Sequence, residues 1–168
     1  SNANIVRNIG QLIIKEYKKY NIKTVGKHAP GHGLAKVDSH FSLPVINHSK
    51  THLFKNDFKS FYQINSDFLM TAHILYKNID PKNLATFSNL IINKILKKKL
   101  SFKGFIMTDD ICMKALKGSI MYRAKRSLEA GCDLVLHCNG NYDEMNYLLH
   151  GLPTISPKLI KKINKIFN

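Results

Sequence analysis

The sequence predicts an α/β fold built on a parallel sheet, and three observations carry that prediction. Short apolar runs alternate with segments of helical spacing along the whole chain. The runs are nearly continuous rather than alternating, as strands covered by helices require. No Pro/Gly/Ser-rich linker, low-complexity stretch or internal repeat divides the 168 residues, a length that suits one domain with a real core.

Residues 5–20 place Ile5, Ile9, Leu12, Ile13 and Tyr17 at helical spacing, with Asn21 as a stop, which predicts an amphipathic helix. A short β-prone run, 22–27, leads into a loop rich in Gly and His. Residues 33–52 show no sustained period and are expected to form a long loop. A helix is expected over 54–64 and a buried strand over 68–73. Ser88 can cap a helix over 89–99, whose Lys97-Lys98-Lys99 end reads as a solvated terminus favoured by the helix dipole. A strand at 104–108, a helix reaching 123–130, a strand at 132–138 and helices over 142–149 and 156–167 complete the pattern. Four strands are expected. Ser1-Asn2-Ala3 reads as an expression scar and is left out of the fold.

Composition removes several classes of function. Hydrophobic content of 44% excludes a disordered chain, and no apolar run is long enough to span a bilayer. Cys112, Cys132 and Cys138 form no CxxC pair, which points to a reducing cytoplasmic setting rather than a disulfide scaffold. The formal charge of +15 suggests nucleic acid, yet only three of the 26 basic residues are Arg (Arg7, Arg123, Arg126). With 19 Ile and 16 Asn beside them, the lysines fit AT-rich coding, so no nucleic-acid partner is expected.

Chemistry in parallel α/β folds gathers at the C-terminal ends of the strands. The first such end is Lys27-His28-Ala29-Pro30-Gly31-His32-Gly33, running on to Asp38-Ser39-His40. His28 and His32 stand four apart, but Pro30, Gly31 and Gly33 oppose the helix a zinc motif would need. The glycines could cradle a phosphate, although the loop matches neither common phosphate-binding motif. Asp38 could fix the tautomer of His40 and raise its basicity, or both could be ordinary loop residues. The second end is Thr108-Asp109-Asp110, where a carboxylate can act as nucleophile, base or ligand, or simply cap the next helix. The third, Met70 to His73, reads most simply as a core or pocket-lining histidine.

The segments KHAPGHG and DSH resemble the KHFPGHG…DSH signature of family 3 glycoside hydrolases, and among them the bacterial β-N-acetylglucosaminidases of cell-wall recycling. The run from Met70 to His73, Gly104 to Asp110, Met113 and Ala130-Gly131-Cys132-Asp133 continue the likeness in order. The resemblance implies the C-terminal half of a (β/α)8 barrel, about four βα units, occupying 4–168 as one partial domain. A full barrel takes roughly 250 residues. It implies Asp109 as catalytic nucleophile, His40 as acid/base with Asp38 as its partner, and Lys27 and His28 as ligands of sugar hydroxyls. It implies retaining release of terminal β-linked N-acetylglucosamine from muropeptides or related glycosides, without metal or cofactor.

Two departures from the family are visible. Ala29 stands where the family usually carries a bulky aromatic. The upstream half-barrel, with an acidic residue before a Gly-Gly-Arg run and a later Arg that help hold the sugar, has no counterpart here. The site then has its chemistry but part of its pocket, so self-association or a separate N-terminal half is an expected partner. The alternative function is a half-barrel remnant or truncated fragment that keeps the fold and partial sugar binding without turnover.

Overall fold

The computed structural model describes residues 2–39 and 41–167. Helix α1 (Ala3–Lys19) begins where the Asn2 side chain accepts the backbone N–H groups of Asn4 and Ile5, and it ends with Lys18 and Lys19 in its last turn. Residues 2 and 3, set aside at the sequence level, therefore take part in the helix. The apolar stripe is also differently placed from what spacing suggests. Ile5, Ile9, Leu12, Ile13 and Tyr17 are all exposed, and Ile14 is the buried residue of the helix. What docks α1 is polar: Arg7 Nε donates to Tyr62 O at 2.7 Å and Gln11 Nε2 to Gln63 O at 2.7 Å.

Strand β1 (Val25–Ala29) sits a few residues later than the predicted 22–27. The expected loop over 33–52 contains β2 (Val45–Ile46), which pairs in parallel with β4 (Leu75–Tyr76). Two-residue strands have no period to read, so sequence pattern could not find them. The helix expected over 54–64 is corrected to α2 (Lys50–Lys55) and a separate 3₁₀ turn, Phe58–Phe61. Ser49 starts α2 early by accepting from His52 N–H, and Asn56 Nδ2 closes it by donating to His52 O at 2.9 Å.

Strand β3 (Phe68–Thr71) begins where predicted and ends two residues short of the expected 68–73. After a 3₁₀ turn at Ala85–Phe87, the Leu90–Lys99 helix is wound as a π-helix, with Leu100 N–H donating to Ile95 O at 2.8 Å. Ser88 caps it as expected, accepting from Ile91 N–H at 3.1 Å. Its lysine end is less solvated than predicted. Lys97 Nζ donates to Gly131 O at 2.8 Å and Lys99 Nζ lies 3.7 Å from the centre of the Phe54 ring.

Strand β5 (Phe105–Asp110) runs two residues past its predicted end and carries both aspartates inside the strand. Helix α3 (Ile120–Ala130) is capped by Ser119, which accepts from Tyr122 N–H, and is closed by Gly131 at φ 110°. The helix-cap role considered for Asp109 and Asp110 is thereby excluded. Strand β6 (Leu134–Leu136) is shorter than the predicted 132–138. Helices α4 (Tyr142–Gly151) and α5 (Pro157–Phe167) follow, and Lys162 of α5 ties to Asp133 Oδ2 at 3.1 Å and to Gly104 O at 2.8 Å.

The main sheet is wholly parallel in the order β1-β3-β5-β6. A doubly wound sheet reverses its strand order partway, whereas a barrel wall keeps it sequential. The order here is that of a barrel wall, with β1 and β6 as the edges of the sheet among the described residues. One face is packed by Leu69, Ile91, Ile92, Ile95, Leu96 and Ile106, all buried. A second cluster around Ile111, Leu116, Met121, Ala124 and Leu148 secures the chain after β5. No helix among the described residues is long and apolar enough to cross a membrane.

Candidate active site

Asp109 lies at the C-terminal end of β5, and its side chain is 16% exposed. Its Oδ1 accepts from the backbone N–H of Asp110 at 2.8 Å, which fixes the carboxylate's rotation. Its Oδ2 is directed across to β1, 3.5 Å from His28 Nε2. The His28 side chain is 30% exposed, so the pair lines a surface accessible to solvent rather than a sealed core. Lys27 precedes His28 on β1 with an exposed side chain.

Asp110 has a different task. Its Oδ1 accepts from Cys112 N–H and from Cys138 N–H, each at 3.0 Å, and so joins the chain leaving β5 to the chain leaving β6. Thr108 Oγ1 makes a related link by accepting from Leu136 N–H at 2.9 Å. These side chains span the place where β5–β6 pairing shifts register, between Met107 and Asp110.

His73 is buried behind Asp109, as the simplest sequence reading had it. Its Nε2 donates to Asp110 O at 3.0 Å, which fixes the neutral tautomer and leaves Nδ1 to accept from Thr86 Oγ1 at 2.7 Å. Burial lowers its pKa below the ordinary 6.5, against the opposing pull of the Asp110 carbonyl and the Asp109 and Asp110 charges. A neutral imidazole thus props the backbone of the strand end. Its signal in the sequence was a histidine closing an apolar strand.

The Gly-rich loop after β1 does not form a phosphate cradle. A Cβ on Gly31, at φ 151°, would lie 2.5 Å from Asp57 Cβ, and one on Gly33 would lie 3.0 Å from Asp57 Oδ1. The glycines make room for a carboxylate, which accepts from Leu34 N–H at 3.2 Å and would repel an anion. The Tyr76 hydroxyl donates to Gly31 O and anchors the same loop. Burial, reinforced by the Asp57 charge, pushes the Tyr76 pKa well up, so the hydroxyl stays a donor.

Asp38 lies on the exposed loop between β1 and β2, where its backbone oxygen accepts from Phe41 and Ser42 N–H, each at 3.1 Å. His40 lies outside the described residues, and with it the expected Asp38–His40 dyad. Of the sequence-predicted residues, the structure brings His28 and Asp109 together directly, with Lys27 adjacent on the same strand. A cavity of about 820 Å³ is lined by Asp133, Pro153 and Lys162 at the opposite end of β6 and shares no residue with this site. One group of side chains, Cys112, His137 and Glu144, has the donor chemistry to hold a metal ion. Cys112, Cys132 and Cys138 are all free thiols.

Comparison with known proteins agrees with this geometry. The profile of the Glycosyl hydrolase family 3 N terminal domain matches residues 1–165. A Beta-hexosaminidase of Nitrosomonas eutropha is 36% identical over 140 residues, covering 80% of this chain and 40% of that protein. One of Shewanella frigidimarina is 40% identical over 137 residues, covering 78% of this chain and 40% of that protein. Among solved structures, a glycoside hydrolase family 3 β-N-acetylglucosaminidase from a Paenibacillus species superposes with TM-score 0.86 at 28% identity, over 99% of this chain and 34% of that one. NagZ from Neisseria gonorrhoeae, in complex with N-trifluoroacetyl-D-glucosamine, gives TM-score 0.80 at 34% identity, over 92% of this chain and 45% of that one. The chain thus spans about 40% of the length of the curated relatives it matches.

Proposed function

The chain belongs to glycosyl hydrolase family 3, and on that premise we propose that it is the catalytic half of a retaining β-N-acetylglucosaminidase. The observation that carries this reading is the Asp109 carboxylate at the end of β5, with Oδ1 fixed by Asp110 N–H and Oδ2 facing His28. Asp109 attacks the anomeric carbon of a terminal β-linked N-acetylglucosamine and forms a glycosyl-enzyme, expelling the aglycone oxygen. His40, partnered by Asp38, protonates that oxygen and then takes a proton from the water that releases the sugar. Lys27 and His28 hold sugar hydroxyls on the β1 side. The names of the curated relatives and the glucosamine derivative bound to the Neisseria protein support the substrate class. Muropeptides are the natural form proposed, in the reducing setting of the cytoplasm, with which three free thiols agree.

The test is hydrolysis of a chromogenic N-acetylglucosaminide by this chain, with Asp109→Asn as control. Turnover by the native chain that disappears in Asp109→Asn supports the assignment, and full turnover by the variant overturns it. A second reading has its own observation. The sheet ends in two open edges, and the chain covers about 40% of its relatives' length. On this reading it is a fragment or remnant that folds without turnover unless an N-terminal half-barrel or a second copy completes the pocket. Activity that appears only on adding a separately produced N-terminal half from a relative favours the fragment.

A further inference from the structure

A cluster outside the proposed catalytic residues draws on three separate segments of the chain. Cys112 comes from the loop after β5, His137 from the end of β6, and Glu144 from the first turn of α4. One donor atom from each lies within 4.8 Å of the other two. The positions are held by the surrounding structure. Asn141 Oδ1 accepts from Glu144 N–H at 3.0 Å and Asn139 Nδ2 donates to Glu144 Oε2 at 2.7 Å.

His137 is held with one ring nitrogen toward Glu144. Its side chain is 8% exposed, and its Nε2 lies 2.9 Å from Glu144 Oε2. Its Nδ1 is buried with no hydrogen-bond partner.

We propose that Cys112, His137 and Glu144 form a binding site for a divalent cation of zinc type, separate from the sugar site. Thiolate, imidazole and carboxylate together suit a borderline-soft ion rather than calcium or magnesium. Bond lengths of 2.0–2.3 Å place neighbouring donors about 3.3–3.6 Å apart in a tetrahedral site. The three donors lie within 4.8 Å of one another and the His137 Nε2–Glu144 Oε2 distance is already 2.9 Å, so side-chain rotation brings the set to that spacing. Water takes the fourth position. Burial, followed by donation to Asp110, keeps the Cys112 pKa raised, so the thiol is protonated near neutrality. Binding replaces that S–H proton with the metal and releases it to solvent, while the hydrogen His137 Nε2 shares with Glu144 moves to Nδ1 and frees Nε2 as the ligand. A bound ion clasps the loop after β5 to the loop after β6, beside the Asp110 hydrogen bonds that already join them.

The test uses cobalt(II) as a coloured probe and zinc as competitor, on the full chain. The expected result is one equivalent of cobalt, a thiolate-to-cobalt charge-transfer band, loss of that band on adding zinc, and about one proton released per ion. Cys112→Ser removes the band. Glu144→Gln, a substitution on a partly exposed helix turn that leaves the core alone, weakens zinc binding at least about tenfold, as loss of a ligand should. Cys138→Ser leaves binding unchanged. The proposal is overturned if no band forms, if Cys138→Ser rather than Cys112→Ser abolishes it, or if Glu144→Gln binds zinc as tightly as the native chain. Because the readout is spectroscopic, this outcome is independent of the assignment of Asp109.

Discussion

His28 Nε2 stands 3.5 Å from Asp109 Oδ2, across the gap between β1 and β5. The two strands are not neighbours, since β3 lies between them. Their side chains therefore meet over the end of β3, which is where a ligand in a barrel of this kind is held.

On the proposed function, that contact puts His28 beside the substrate that Asp109 would attack. His28→Ala should lower kcat/KM on a chromogenic N-acetylglucosaminide by roughly 10–100-fold, the worth of one charge-assisted hydrogen bond. Steady-state kinetics on an active assembly checks it. Unchanged kcat/KM would remove His28 from the site.

Gly31 should resist substitution. Alanine there meets Asp57 Cβ at 2.5 Å and must adopt φ 151°, so Gly31→Ala should cost about 1–3 kcal/mol in urea unfolding. A midpoint equal to that of the native chain would show that the loop relaxes freely.

Ser88 joins two elements while fully buried. Its Oγ accepts from Ile91 N–H at 3.1 Å and donates to Asp80 Oδ2 at 2.6 Å. Burial would raise the Asp80 pKa, but the hydrogen bonds from Ser88 and Asn83 outweigh it and the net shift is downward. Ser88→Ala should therefore destabilise the chain by about 1–3 kcal/mol, with the loss read from denaturant unfolding.

Acid should loosen the strand end through His73. Its native pKa is depressed below the ordinary 6.5, so the unfolded chain binds the proton more readily than the folded one. The stability it contributes is intact above about pH 6.5 and is lost as pH falls from there through the lowered native value. Thermal midpoints measured from pH 8 down to pH 5 should decline over that window, and His73→Asn should flatten the decline. Parallel curves for the two proteins would contradict this role.

Association is expected from the open edges. The backbone groups of β1 and β6 on the unpaired side, together with the exposed Ile9, Leu12 and Ile13 of α1, offer pairing and apolar surface at once. Light scattering at micromolar concentration should report a mass above that of one chain. A monomeric mass would count against it.

The strands with long apolar runs were legible because a buried parallel strand has no choice but to be apolar. Phe68 to Thr71 and the start of β5 at Phe105 show this. The aspartate pair stood out at the end of β5 because carboxylates rarely close such a run. What stayed hidden depended on contacts between distant residues. Nothing local in 33–52 announces that Val45 and Ile46 will pair with Leu75 and Tyr76. The glycines of the β1 loop look like an anion cradle until Asp57 is seen filling the space. The spacing of α1 is truly amphipathic, but which of its faces is covered depends on partners that spacing does not encode.

At its C-terminal edge the sheet ceases to be held by backbone alone, since Thr108 and Asp110 bind the amides of Leu136 and Cys138 with side-chain oxygens. A backbone ladder tolerates almost any residue except proline, whereas these two links tolerate only a side-chain acceptor of the right reach. The spacing between β5 and the loop after β6 is thus written in residue identity. One nucleotide change at either codon can reset it while leaving the hydrophobic interior untouched. The rim of this sheet can drift under mutation at a pace its walls cannot follow.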